Sequence, residues 1–526
     1  MKRRFLYILV LCCCLNALAD DDQEKQKVKL TGSIQSDMLV PMRDDAIGAE
    51  KTEDFQTNTY GDIMLQSKYV DAGLRFEYLD HPLPGFEKDF KGWGVPNFWV
   101  KGRYKWAELT LGTFYEQFGM GLILRTYEER SLGIDNSLLG GRLVLRPAKG
   151  VTIKALSGRQ RRYWSWNKGL VSGVDGELNI NEWIPSMRER GTELMIGGSW
   201  VNKYEKTEDI FVDPTHKLNL PEYVNAWDVR ASLNTGPWSV HAEYAQKTQD
   251  PSFDNNYSYR KGSAAVLSGS YANNGLSVLL QAKRSENMAF RSRRSMIGTS
   301  SFINHLPAFT QEQTYTLAAL YPYATQLAGG EWAYQAEVGY NFKRKTKLGG
   351  KYGMNVKFNF SHVRWEGETF YQDIDVTLTR KLSKNVKLAL MYMNQRYNMT
   401  VVEGHGGMVR SNIFIADAKF QLSKKSALRT ELQYMSTRDD KGDWLYGLLE
   451  FSLAPHWMFS VSDLYNVGET NIHYYHGDVT FSAAGHRVQL GFGRTRAGYN
   501  CSGGVCRYVP ASKGFTLSYN YNFSIL

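Results

Sequence analysis

The last stretch of the chain narrows its possible folds more than any other. Apolar or aromatic residues take every second position at Phe515, Leu517, Tyr519, Tyr521, Phe523 and Ile525, with Thr516, Ser518, Asn520, Asn522 and Ser524 between them. Side chains alternate across a β-strand, so this segment has one apolar face and one polar face. Left at the edge of a soluble sheet, such a strand recruits other chains. In a membrane every backbone N–H and C=O must be satisfied internally, and there the same strand can close a barrel against the first one. The spacing therefore predicts a seam between Phe515–Ile525 and the first alternating segment, Val28–Met38.

The opposite end of the chain is consistent with that membrane. Met1 to Arg4 form a basic start, Phe5 to Leu15 an apolar run too short to span a bilayer, and Ala17-Leu-Ala19 a small-x-small cleavage site. This predicts a signal peptide over residues 1–19 and an outer-membrane barrel over residues 20–526. Cys12, Cys13 and Cys14 lack the preceding small residue that lipidation requires. No other stretch reaches the roughly 18 consecutive apolar residues of a membrane helix. Losing Lys2, Arg3 and Arg4 lowers the net charge from +10 to +7. It also leaves Cys501 and Cys506 as an even pair, which in an exported protein predicts a small disulfide-closed loop.

Between the ends, alternating segments follow one another without a domain break. Trp332, Tyr334, Val338, Tyr340 and Phe342 oppose Gln335 and Glu337, and Phe414, Ala416, Ala418 and Phe420 oppose Asp417 and Lys419. Aromatic residues make up 13% of the chain, which suits the interfacial girdles of a membrane barrel. Short turn-like links, such as Val70–Gly73, Lys105-Trp106, Asn234–Pro237 and Ala484-Gly485, alternate with long polar ones at 80–96, 204–222, 249–258, 286–311 and 399–409. Short turns at one end and long loops at the other are the up-and-down barrel pattern. The expected fold is all-β: a large antiparallel transmembrane β-barrel of about 24–26 strands with no plug domain. Residues 170–182 must be a strand for the sides to alternate, and the count is ambiguous within 286–331. Only Asp20 to Gln26 precede the first strand, which argues against an energy-coupled transporter with an N-terminal plug.

Four stretches, Asp80–Phe86 (DHPLPGF), Phe118–Arg130 (FGMGLILRTYEER), Leu320–Gln326 (LYPYATQ) and Leu348–Gly353 (LGGKYG), resemble a family of uncharacterised outer-membrane barrels from Bacteroidota, known as a domain of unknown function. The resemblance implies an outer-membrane location in a Gram-negative bacterium and no particular activity.

The candidate site is 117–142, where Arg125, Glu128, Glu129, Arg130, Asp135 and Arg142 follow a Gly-Met-Gly bend. A loop folded inward with opposed charges would set the size and field of a constriction, and Gly119, Gly121 and Gly133 would permit its tight bends. The alternative is an ordinary loop with exposed salt bridges of little value. On the polar faces of the clearer strands ten basic side chains, among them Arg75, Arg230, Lys247, Lys283 and Arg429, face nine acidic ones, among them Glu77, Asp228, Glu243, Asp373 and Asp417. That balance fits either a wet lumen of weak selectivity or a wall of paired charges around a plugged barrel. The excess positive charge then lies in loops such as Arg291, Arg293 and Arg294, read as solvated. Asp80 with His81, and His473 with His476 and Asp478, fall short of a catalytic constellation, and no cofactor or metal motif is present. The expected function is a porin-like, non-enzymatic channel for small hydrophilic solutes. The second reading is a non-conducting structural barrel in an outer-membrane assembly, secretion or uptake complex. Its partners would be outer-membrane lipid and lipopolysaccharide, other outer-membrane proteins or further copies of itself, and not nucleic acid.

Overall fold

The computed structural model describes residues 28–525, so the predicted signal peptide lies outside the described residues. The main sheet contains 25 strands. One of them, Ser165–Trp166, only extends the hairpin off Val151–Arg162. The other 24 form a closed antiparallel wall in which each strand pairs with the next in sequence. The first strand, Lys29–Pro41, closes on the last, Ser512–Ile525, in unbroken register from Leu30 opposite Ile525 to Pro41 opposite Gly514. The seam is the predicted one, and 24 falls within the expected count. No helix among the described residues is long and apolar enough to cross a membrane.

Period-2 patterning decides which side chains face lipid. Along Gly330–Phe342, Trp332, Tyr334, Val338 and Tyr340 are exposed on the outer face, while Glu331 and Ala333 are fully buried inside. The outer face is also graded. Trp332 stacks on Tyr334 at the long-loop end and Tyr340 packs edge-on to Phe342 at the other, with Val338 between. Trp238 and Tyr244 bracket Val240 in the same way on Trp238–Lys247. Two aromatic rings around an aliphatic belt match the two interfaces of a bilayer.

Connections at one end are short: Gln66 to Val70, Tyr104 to Ala107, Thr235 to Trp238 and Ala483 to His486. At the other end they include 80–91, 115–137, 287–329 and 496–511. Leu170–Asn179 is the strand that side alternation demanded. Three boundaries move. The first turn is 67–69 rather than Val70–Gly73, Gly92–Tyr104 takes up the last residues assigned to loop 80–96, and the ambiguous region is one connection over 287–329 rather than a loop ending at 311.

A charge on the outer face near the belt's middle meets hydrocarbon. Leu280→Arg should therefore cost about 2–4 kcal/mol, whereas Gln281→Arg, on the lumen side, should cost much less. Urea titration of the protein folded into liposomes measures both.

Candidate functional site

A wall of 24 strands encloses a lumen too wide for side chains alone to fill. Two of the long connections enter it. Residues 115–137 bring Phe118, Leu122, Ile123 and Leu124 to full burial. Residues 287–329 do the same for Met288, Phe290, Ile303, Leu306 and Leu317. All of these join one apolar cluster with inward wall residues such as Val171, Val201, Ala264, Ala333, Met393 and Ile413.

Backbone hydrogen bonds lock the two segments together. Arg125 N–H donates to Ile303 O at 2.8 Å and His305 N–H to Gly121 O at 3.0 Å. Asn304 Nδ2 donates to Leu122 O and to Met288 O, both at 2.9 Å. The expected glycine bends are present, with positive φ at Gly119, Gly121 and Gly133. A side chain at Gly119 would collide with the carboxylate of Glu243, which instead accepts from Met120 N–H at 2.8 Å.

The longer segment crosses the barrel. On one side Phe290 rests over the ammonium groups of Lys203 and Lys247, with ring centroids 5.7 and 5.6 Å away. Both lysines share Asp250, at 2.6 and 3.4 Å. Lys283 pairs with Glu331 at 2.8 Å and donates to Pro307 O at 2.7 Å. Arg294, fully buried, pairs with Glu205 at 3.1 Å. Arg291 pairs with Asp254 at 2.7 Å and lies over the Phe302 ring. These two arginines therefore correct the solvated reading: they are buried and neutralised by acids far away in sequence, and only Arg293 stays partly exposed.

On the opposite side Leu317 N–H donates to Gln433 Oε1 at 2.8 Å and Tyr321 OH to Asp440 at 2.7 Å. A bulge in Glu368–Lys381 turns both Phe370 and Tyr371 inward, where each meets Tyr323.

Two further loops cover this plug. The hairpin of Gly498–Ser502 and Val505–Val509 carries the Cys501–Cys506 disulfide at the long-loop end, as predicted. Its Gly504 O accepts from Thr325 N–H at 2.8 Å, and Arg507 donates to Ser131 O at 2.8 Å while lying over Phe86 of loop 80–91. Burial pushes the Arg507 guanidinium down to about 10, against the pull of Tyr60 and Glu87. Three of the four stretches that carry the family resemblance, 80–86, 118–130 and 320–326, thus meet in and over the plug.

The six candidate residues divide. Glu128, Arg130 and Asp135 join one network with the wall. Arg75 bonds Asp62 and Glu128, each at 2.6 Å, and Arg130 bonds Glu128 at 2.8 Å and Asp62 at 3.0 Å. Arg161 holds Glu77 at 2.6 Å and Asp135 at 2.5 Å. Burial raises Glu128 above the usual carboxylate range despite Arg75 and Arg130. Burial also works to raise Asp135, but Arg161 and the Ser137 N–H outweigh it and hold the carboxyl low. Arg142 lies on the wall strand Leu138–Leu145 in a separate cluster with Glu116 and Glu108. Arg125 stacks on Tyr127, and Glu129 caps Ser131.

Burial along the lumen locates the plug. Asp175, Arg230, Lys283 and Glu331 lie beneath or beside it with no side-chain exposure, whereas Glu177, Glu337, Lys357 and Arg429 stay partly open. The long-loop half is filled and the short-turn half is a wet vestibule. Sequence reasoning missed the crossing segment and the covering hairpin's role. The available signal was the run of Met288, Phe290, Ile303, Leu306, Phe309 and Leu317 without strand periodicity in a connection far longer than a hairpin needs. Among the described residues no metal-binding cluster of His, Cys, Asp or Glu occurs. His81 lies beside Glu53 and Asp80, His473 pairs with Asp463, and His476 with Asp478.

The fold and its interior define a transmembrane β-barrel whose lumen is occupied by its own loops. The chain belongs to a family of unknown function, DUF6029, whose model matches residues 1–523. No curated protein matches it. Among solved structures it is similar to the P pilus usher (PapC) translocation pore, at 12% identity and a TM-score of 0.45, with 95% of this chain and 100% of that one covered. It is also similar to OccAB3 of Acinetobacter baumannii, at 8% identity and a TM-score of 0.38, with 95% and 99% covered. The outer membrane protein opdK of Pseudomonas aeruginosa matches at 10% identity and a TM-score of 0.37, with 95% and 99% covered.

Two measurements probe the plug. Arg161→Met leaves the buried Glu77 and Asp135 with only Arg75, 3.8 Å from each, as a cationic partner and should cost about 3 kcal/mol, while Arg43→Met, at an exposed pair, should cost less than about 1 kcal/mol. Urea midpoints compare them. His305, buried against Tyr127 and near Arg125 and Lys283, is pushed down to about 3. A released loop takes up a proton near the ordinary pKa of about 6.5, and the packed imidazole does not, so packing weakens as pH falls through that value. Protease cleavage within 287–329 should rise between pH 7 and pH 5.5, and His305→Phe should abolish that rise.

Proposed function

We propose that this protein is an outer-membrane channel barrel that is closed at rest by its own loops and passes small hydrophilic solutes only when the crossing segment is displaced. The observation that carries this reading is residues 287–329 lodged across the lumen, anchored to Lys203, Lys247 and Lys283 on one side and to Gln395, Gln433 and Asp440 on the other. In outer-membrane barrels the short turns lie in the periplasm and the long loops outside. The vestibule then opens to the periplasm and the plug faces the medium. The wall charges near the vestibule are paired, as in Lys357 with Glu337 at 2.7 Å and Arg429 with Asp417 at 3.1 Å, which favours weak ion selectivity. Export by the signal peptide of residues 1–19, in a Gram-negative cell of the Bacteroidota type, belongs to the same proposal, as does a transport rather than an enzymatic role.

One observation favours the structural-barrel reading: the plug core is apolar and fully buried, with Phe118, Leu122, Ile123 and Phe290 inaccessible. Planar-bilayer recording separates the possibilities. The wild type should be nearly silent, and a variant with residues 296–316 replaced by a short Gly-Ser linker should conduct steadily. Equal steady conductance from both would mean an open diffusion pore. A folded but silent deletion variant would support the structural barrel, and stoichiometric partners retained after mild detergent extraction would name its complex.

A further inference from the structure

On the outer face of the barrel, Val386–Asn398 and Met408–Gln421 set four cross-strand pairs in order toward the long-loop end. They are Leu390 with Ala416, Tyr392 with Phe414, Asn394 with Asn412, and Arg396 with Arg410. Their chemistry runs from hydrocarbon through aromatic ring and amide to cation. Paired residues stand about 4.5–5.5 Å apart at Cα, so the last pair puts two guanidinium groups side by side. Like charges directly opposite are destabilising, and the barrel does little to relieve them. Arg410 has one long ion pair, 3.9 Å to Asp439, with its side chain 65% exposed. Arg396 is exposed and makes no ion pair among the described residues. On the same face Arg364 is also exposed, and its Nη2 donates to Gly367 O at 2.5 Å.

Below the arginines lies a groove of about 610 Å³ lined by Leu390, Tyr392, Phe414, Ala416, Leu432 and Tyr434. Ala416, small between Leu390 and Leu432, gives it depth. At its upper rim Tyr392 OH donates to Asn412 Oδ1 at 2.8 Å and Asn394 Nδ2 to the same oxygen at 3.0 Å. An apolar trough, a rim of hydroxyl and amide groups and a pair of arginines with one long ion pair between them and the acids of the rim reproduce, in order, the acyl chain, polar linkage and phosphate of a membrane lipid.

We infer that this face binds one molecule of a phosphorylated, acylated glycolipid of the lipid A type. An acyl chain fills the groove, sugar hydroxyls meet Asn394 and Asn412, and the phosphate lies between Arg396 and Arg410. Arginine suits that task because its planar fork gives two parallel charge-assisted hydrogen bonds to a phosphate. The choice of glycolipid over phospholipid rests on the outward orientation of the long loops proposed above.

Native mass spectrometry of the purified full-length barrel in detergent, titrated with lipid A and with phosphatidylglycerol, tests the site. The wild type should retain one lipid A and prefer it to phosphatidylglycerol. The double variant Arg396→Gln/Arg410→Gln should lose about tenfold or more in lipid A affinity, the scale of hydrogen bonds to charged groups. Ala416→Trp, which fills the groove without changing charge, should weaken lipid A while leaving its fully deacylated phosphosugar unaffected. Heat-modifiable gel mobility confirms that each variant is folded. Equal lipid A binding by the wild type and the double variant overturns the site, and equal affinity for phosphatidylglycerol overturns the glycolipid assignment. Labelling intact cells that carry His405→Cys, at an exposed position of the 399–407 connection, reports orientation separately. An unlabelled residue overturns the outward placement, while the detergent titration still decides whether the site exists.

Discussion

The structure depends on a problem of width. Hydrogen-bonded strands lie about 4.8 Å apart and tilt in a barrel, so 24 of them enclose a space on the order of 45 Å across. Side chains reaching inward from the wall leave most of that space open. It must hold water or chain, and here the two solutions share the lumen. Toward the short turns, partly exposed charges such as Glu177, Lys357 and Arg429 line water. Toward the long loops, residues 115–137 and 287–329 supply the missing core.

That division explains why so much charge sits inside a membrane protein. A buried ion costs several kcal/mol unless a partner and further hydrogen bonds compensate it. Each buried cation in or against the plug has such a set. Lys203 and Lys247 share Asp250, Arg294 has Glu205, and Arg230 touches Asp175, Asp228 and Glu177. Polar anchors fix the register and depth of the inserted segments, while Phe118, Ile123, Phe290 and Leu317 exclude water between them. The two kinds of contact do different work. Apolar burial is non-directional, whereas a lysine held by one shared carboxylate meets the Phe290 ring, and Lys247 donates to the Ala289 carbonyl, at one position only.

The wall was legible because its rule is local. Alternation at Trp332, Tyr334, Val338 and Tyr340 and turns such as Asn234–Pro237 mark a strand's face and ends within a dozen residues. The Cys501–Cys506 pair, five residues apart, was legible for the same reason. The plug follows no local period. Arg294 finds Glu205 across 89 residues, Leu317 finds Gln433 across 116, and Gln160 meets Ser292 across 132. A loop arginine read alone therefore looks solvated. Of the candidate residues, Glu128, Arg130 and Asp135 could be picked out by charge density in an inward loop, but not their partners Asp62, Arg75, Glu77 and Arg161 on the wall. The outward Arg396–Arg410 pair was equally invisible, since it exists only once the register is fixed.

The crossing segment leaves the wall at Glu286 and returns at Gly330, and these two residues sit opposite one another in adjacent strands. Both ends of the plug are thus stapled to a single point on the rim. A segment so held cannot be lost by dissociation, whatever force withdraws it. Were it displaced as proposed, reinsertion would be a first-order event, governed by an effective concentration that the tether sets rather than by the amount of protein in the membrane. Under the proposed gating, the closed state would then reset without the help of a second molecule.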